Sequence, residues 1–462
     1  MTHTTTGAAP AEDRAQDGPA DPFDLTPWHR DTATGAWTDR YGGAFSVAAL
    51  APYFTVPGLI RDLHPVPVWQ GLERVRRLPG RPAGTSDPAE FTDRFRDAVA
   101  RAIDGHATVA VALSGGMDSA ALLNTVARLC RADGRRVVAV VLDVDDDAGR
   151  GTGALAARQL DYLHVDVRLE RVPMRPSRWP EPPWDPAGPR FDAWPRLHVA
   201  LAQTAADQGA TVLLRGDGAD ELLGTPPFLA PAFLRAGRPH AARRYLADQE
   251  SSFVGEALPL IGRIRSPATA QLYWATRWPG YAEDRGAPVL ADPAAVSARR
   301  WLAGYQERAL SAAIGARATW AEAAYMHRLF PLDALPDAGV IEEASPYLDA
   351  GFAAYAYDLP LTALYAPDLP NSYLRGKALV AGLLPTGFES VLTSRRQLCL
   401  GAYRRYWTAV QREPRNLVAL GLLRPDWRAH CRDALDLAMI QNCEAWVSGA
   451  LARGAEPVLP AG

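Results

Sequence analysis

Apolar and polar positions sort into clear patterns only from about residue 91 onward. Residues 91–105, FTDRFRDAVARAIDG, repeat apolar positions at helical spacing and stop at a glycine, which predicts a helix. Residues 107–113, ATVAVAL, are almost wholly apolar, the signature of a strand buried on both faces. The turn SGGMDS follows, then AALLNTVARLC as a helix, RRVVAVVLDV as a second buried strand, TGALAARQL as a helix and YLHVDV as a short strand. A helix over about 192–207 leads to an apolar strand at 211–214 and the loop RGDGADELLG. Strands and helices alternating in this way predict an α/β fold. Its sheet is mostly parallel and flanked by helices on both faces.

Around this centre the patterns are weaker. The expected layout is a mobile tail over 1–25, a short irregular leader over 26–88, and one large domain over 89–462. Residues 173–190 hold seven prolines and two tryptophans, so no regular element fits there. Trp179, Trp184 and Trp194, in or beside that stretch, are candidates for lining a substrate mouth. Beyond residue 230 the chain is rich in Ala, Leu and Arg at helical spacing, which predicts a large helical C-terminal extension.

Composition narrows the classes. A formal charge of −3 gives no global attraction for nucleic acid or an anionic membrane. No run resembles a signal peptide or is apolar enough to cross a bilayer, and four scattered cysteines suggest neither a disulfide framework nor a sulfur-rich metal site. A cytoplasmic protein is expected. The 49 basic residues include a single lysine, Lys377, so any chemistry that needs an ammonium has one candidate.

Two loops carry candidate chemistry. In the first, Ser114-Gly115-Gly116-Met117-Asp118-Ser119 joins a buried strand to a helix. Its glycines let backbone N–H groups turn toward an anion, the helix N-terminus adds positive potential, and Ser114 and Ser119 add hydroxyls. Asp118 beside phosphates would require a cation such as Mg²⁺ between them. The plain alternative is a tight turn in which Asp118 and Ser119 act as caps. In the second loop, Gly216-Asp217-Gly218-Ala219-Asp220-Glu221, three carboxylates crowd between glycines at what should be the same sheet edge. Asp118 and Asp220 together could hold Mg²⁺ that bridges a triphosphate. A solvated acidic turn is the alternative.

The strand followed by SGGMDS resembles the pyrophosphate-binding loop of the ATP pyrophosphatases. LLRGDGADELLG is similar to the Ser-Gly-x-Gly-x-Asp-Glu-Leu-x-Gly segment of asparagine synthetase-like ligases. GVIEEASPYLD at 339–349, KALVAGLLP at 377–385 and PVWQGLERVRRLPG at 67–80 resemble further family segments, in the family's order. The resemblance implies an ATP- and Mg²⁺-dependent amide-forming ligase, close to the beta-lactam synthetases and lasso-peptide cyclases. Such an enzyme adenylates a substrate carboxylate, releases pyrophosphate and passes the acyl group to an amine. By position, Ser114, Gly115, Gly116 and Ser119 would hold pyrophosphate, with Gly216 beside them, and Asp118 and Asp220 would hold Mg²⁺. Leu142 and Asp143 would lie near the adenine or ribose.

The chain departs from the family pattern in three places. Fewer than about 90 residues precede the matched part, and Met1-Thr2 lacks the cysteine of a glutaminase-type domain. The nitrogen is therefore expected from a real amine substrate, not from glutamine. Asp217 stands where asparagine synthetases have a glutamate and beta-lactam synthetases a tyrosine, which leaves open an acid/base role or a structural one. The family lysine after Leu-Pro is missing, and Arg395, Arg396 or Lys377 could supply its charge. The expected substrate is a small molecule or short peptide bearing a carboxylate and an amine, within secondary metabolism such as antibiotic biosynthesis. No nucleic-acid or membrane partner is expected, and a homo-oligomer or a biosynthetic partner protein stays open. A lasso-type peptide macrolactam cyclase and a non-catalytic nucleotide-binding scaffold are the alternatives.

Overall fold

Five parallel strands form the central sheet: β1 (Thr108–Leu113), β2 (Arg136–Asp143), β3 (Arg168–Pro173), β4 (Val212–Leu214) and β5 (Glu342–Ala344), in the order β3-β2-β1-β4-β5. The computed structural model describes residues 29–31, 37–38, 43–55, 68–74, 81–186, 188–190, 194–249, 262–281, 288–328, 338–392 and 399–459. The expected tail over 1–25, and Arg395 and Arg396, lie outside these residues.

Chain direction explains where a ligand would sit. From β1 the chain adds β2 and then β3 on one side, before crossing back to place β4 and β5 on the other. The register Val109↔Val212 and Val111↔Leu214 sets β4 directly beside β1. The strand order therefore reverses between β1 and β4, and loops leaving these two carboxyl ends diverge around a crevice. Both candidate loops leave from those two ends.

Strand alternation divides the core in two. Val109, Val111 and Leu113 face one layer with Val137, Ala139 and Val141, covered by α1 (Phe91–Ala102), α2 (Met117–Asp133) and α3 (Thr152–Leu163). Ala110, Val138, Val140 and Leu213 face the other, covered by α4 (Pro195–Asp207) and by distant parts of the chain. Both faces are buried, as near-continuous apolar strands require. After the short α5 (Ala219–Leu223), a helical layer is built by α6 (Ala230–Arg235), α7 (Pro239–Asp248), α8 (Pro267–Tyr281), α9 (Asp292–Gly315) and α10 (Trp320–Arg328). It has its own aromatic core around Tyr273, Trp320 and Tyr245. Then come α11 (Ala350–Tyr357), α12 (Ser372–Arg375), α13 (Ala378–Ala381), α14 (Leu400–Val410) and α15 (Ala434–Ala452).

Three readings of the pattern change. Residues 162–167 are not a strand: Tyr162 and Leu163 complete α3, His164 caps it in the left-handed conformation at φ 50°, and β3 starts only at Arg168. Glu342–Ala344 forms an edge strand too short and too charged to show a period of two. The leader, expected to be irregular, contributes strands. Backbone segments His29–Asp31, Trp37–Thr38 and Leu72–Arg74 form a three-stranded antiparallel sheet, and Ala44–Ser46 pairs in parallel with Glu456–Val458.

The proline-rich stretch is irregular apart from one 3₁₀ turn, Pro176–Arg178, but its tryptophans face inward. Trp184 stacks on Trp446 with centroids 6.1 Å apart and donates its indole N–H to the Trp446 carbonyl at 2.9 Å. Trp69 packs edge-on against both, and Trp446 donates back to the Asp185 carbonyl at 2.8 Å. Trp179 and Trp194 lean on Tyr406 of α14. These indoles tie the segment to the C-terminal helices.

Candidate active site at the carboxyl edge of the sheet

The first loop ends sooner than the sequence suggests, because α2 begins at Met117. Asp118 lies in its first turn, where a carboxylate is favoured by the helix dipole, and Ser119 follows it. Gly115 is at φ 77°, a conformation that costs other residues about 1–2 kcal/mol. The Ser114 backbone N–H donates to Ser119 Oγ at 3.2 Å, and the Gly116 N–H donates to Ser114 Oγ at 3.3 Å. Gln159 from α3 donates to the Gly115 carbonyl at 2.9 Å, so neighbouring elements hold the loop's shape.

The second loop presses against the first. A side chain on Gly216 would reach 3.6 Å from the Ser119 nitrogen and 3.7 Å from Asp118 Cβ. Gly218, at φ 86°, turns the chain into α5, and Asp220 falls in its first turn. Lys377, the chain's only lysine, enters between α12 and α13. Its Nζ donates to Asp118 Oδ2 and lies 2.6 Å from Asp220 Oδ1. One ammonium thus bridges two carboxylates from two loops.

Electrostatics follow from that geometry. Burial pushes the Asp118 carboxyl above its ordinary value. Lys377 pulls it back, and Asp220 and Glu221 push it further up. Burial alone would lower Lys377, yet Asp118 and Asp220 outweigh it and the ammonium titrates above its ordinary value. Asp118 Oδ1 is buried with no hydrogen-bond partner, although its other oxygen is engaged by Lys377. A buried carboxylate oxygen left open in this way fits a cation. Among the described residues no group of three or more His, Cys, Asp or Glu converges into a metal cage. Mg²⁺ needs no such cage, since one or two carboxylates and substrate phosphates suffice.

Several supporting side chains lie outside the two candidate loops. The Tyr373 hydroxyl accepts from the Met117 N–H at 3.2 Å, taking up one of the free donors at the start of α2, and burial raises its pKa. Tyr347 donates to the Asp118 carbonyl at 3.1 Å, and Ser345 donates to the Asp217 and Arg215 carbonyls at 2.7 and 3.1 Å. The stretch at 339–349 therefore braces both loops from behind. Asn124 of α2 donates to the Leu383 carbonyl at 2.8 Å and fixes the Leu-Pro segment against that helix.

The remaining candidates are placed differently. Arg215 Nε pairs with Asp217 at 2.9 Å, while its other arm binds Glu343 at 2.6 Å. Asp217 is thus tied to a nearly buried guanidinium. Leu142 and Asp143 close β2, next to β1. The Leu142 carbonyl accepts from Thr152, and a side chain on Gly153 would meet Asp143 Oδ1 at 2.3 Å.

Residues 90–388, more than half of the chain, match the family model of asparagine synthase. The chain belongs to the asparagine synthase family. Two curated relatives match over shorter stretches. Amidase chyE of Penicillium rubens is 29% identical over 140 residues, 28% of this chain and 21% of that protein. Amidase chry2 of Gibberella zeae is 27% identical over 144 residues, 29% and 22%. The chain thus spans about a fifth of the length of these relatives. Among solved structures, the U34-tRNA thiolase NcsA from Methanococcus maripaludis is similar over 38% of this chain and 60% of that one. It is 11% identical, with a TM-score of 0.23. No helix among the described residues is long and apolar enough to cross a membrane.

Proposed function

We propose that this member of the asparagine synthase family is an ATP-dependent, AMP-forming carbon–nitrogen ligase. The observation that carries the reading is the convergence of Asp118, Asp220 and Lys377 beside the SGGMDS turn, at the point where strand order reverses. Both fungal relatives are named amidases, which adds support for carbon–nitrogen chemistry.

A substrate carboxylate oxygen attacks the α-phosphorus of ATP, the bond to the β-phosphate oxygen breaks, and pyrophosphate leaves. The positive N-terminal end of α2 and the hydroxyls of Ser114 and Ser119 take up its charge. Asp118 and Asp220 would hold Mg²⁺, which would offset charge on the phosphate oxygens. Lys377 keeps a positive charge beside the phosphates throughout, since its two carboxylate partners prevent it from losing a proton near neutral pH. The amine then attacks the acyl carbon and AMP departs. Asp217 is paired to Arg215 at 2.9 Å. We therefore assign Asp217 to holding the loop. The acid and amine belong to a small molecule or short peptide of natural-product metabolism.

Incubation with a candidate acid, an amine and ATP labelled in its β,γ-phosphates should release labelled pyrophosphate and unlabelled AMP. Labelled ADP and free phosphate as the only products would overturn the assignment.

A further inference from the structure

A cavity of about 300 Å³ lies outside the site described above, at the carboxyl end of the edge strand β3. Its apolar wall is Val172, Pro173, Trp179, Pro180 and Ala200, and Gln203 and Thr204 of α4 stand opposite. Arg175 and Arg178 line it together, with Arg171 alongside. The placement of the first two follows from local structure. The Arg178 N–H donates to the Arg175 carbonyl at 2.9 Å across the 3₁₀ turn, and residues three apart in such a turn eclipse one another. Trp179, buried against Tyr406, anchors the end of the turn.

Two guanidinium groups lining one cavity repel each other, so a nearby carboxylate would be expected to compensate. Among the described residues neither Arg175 nor Arg178 makes a side-chain hydrogen bond or ion pair. The nearest sequence acid, Glu181, is taken by Arg196 and Arg412, and Asp207 accepts from Gln203 at 2.9 Å. Among the described residues the cavity is therefore positive, uncompensated and apolar on one wall. Guanidinium forks match phosphate and carboxylate oxygens in pairs.

We propose that this cavity is a second ligand site, for a small molecule carrying a doubly charged oxyanion next to an apolar or aromatic body. The oxyanion is a phosphate monoester or a pair of carboxylates, set on Arg175 and Arg178 with the body against Trp179. The proposal does not depend on the ligase reading.

Calorimetric titration of the full chain with phenyl phosphate and, separately, with phthalate tests it. The expected result is saturable one-to-one binding of at least one probe, weakened roughly tenfold or more in Arg175→Glu/Arg178→Glu. Both arginines are exposed, and unchanged circular dichroism verifies that the variant is folded. The probe that binds better identifies the ligand as phosphate or dicarboxylate. Failure of both probes to bind, or affinity within about twofold of the parent in the variant, would overturn the proposal.

Discussion

Lys377 Nζ stands 2.6 Å from Asp220 Oδ1 while also donating to Asp118 Oδ2, so a single ammonium joins carboxylates from loops more than a hundred residues apart. Two like charges at a sheet edge repel, and the lysine makes their closeness tolerable. It is the side chain on which both the stability and the proposed chemistry of the site depend.

Lys377→Met should lower pyrophosphate release by roughly 10²–10³-fold, the loss typical of removing one electrostatic stabiliser of a transition state. The same change leaves buried Asp118 without its partner, so stability should also fall, by about 3–5 kcal/mol. Lys377→Met/Asp118→Asn should regain much of that stability and none of the turnover. Urea denaturation beside the pyrophosphate assay separates the two effects; full turnover in Lys377→Met would refute the role. The charged lysine stabilises the fold fully below its ordinary value of 10.5, and that contribution is lost as pH rises through its higher folded value.

Gly153→Ala tests whether Asp143 contributes to nucleotide binding. The new methyl would meet Asp143 Oδ1 at 2.3 Å and force that side chain to swing away. If the end of β2 receives the adenosine, KM for ATP should rise by about tenfold with kcat changed far less, since the pyrophosphate loop is untouched. An unchanged KM would remove Leu142 and Asp143 from the site.

The sheet was readable because buried parallel strands are written as unbroken apolar runs, as residues 107–113 and 136–144 show. The two loops were readable because glycines and carboxylates are unusual directly after such runs. Glu342–Ala344 escaped because three half-exposed residues at an edge have no period to detect. Tyr373 and Arg215 escaped for another reason. Each acts through a partner distant in sequence, Met117 and Glu343, and spacing carries no information about such contacts. The packing partners of the indoles in the proline-rich segment were not legible because composition does not indicate which way a side chain faces.

Gly449→Ala should test how firmly Trp184 is docked. Gly449 lies on α15, and an added methyl would sit 2.2 Å from Trp184 Cδ1. The indole is held by Trp446 through both stacking and a hydrogen bond, so it cannot step aside freely. Overpacking should cost about 1–3 kcal/mol, visible as a lower Tm, even though alanine favours a helix more than glycine does. A higher Tm would mean that the segment is loosely docked.

Asp248 at the end of α7 supports the site from a distance. It pairs with Arg375 through two contacts of 2.6 Å and accepts from Tyr365 at 2.7 Å. Arg375 is itself buried and donates to the Leu369 carbonyl at 2.8 Å, which fixes the turn leading to Lys377. Burial would raise the Asp248 carboxyl, but the hydrogen bonds from Arg375 and Tyr365 outweigh it and hold the group below its ordinary value. A depressed carboxyl contributes stability above its unfolded value of 3.8 and loses it as pH falls through the lower folded value. Asp248→Asn should therefore cost about 3–5 kcal/mol at neutral pH by leaving a buried guanidinium half-paired. The gap between parent and variant in urea melts should stay constant from neutral pH down to about 5 and narrow only in the acid range below 3.8. Turnover should fall with it, as Lys377 loses its fixed approach to Asp118 and Asp220. A gap that narrows near neutral pH would show that some other group, and not this carboxylate, sets the acid sensitivity of the helical layer.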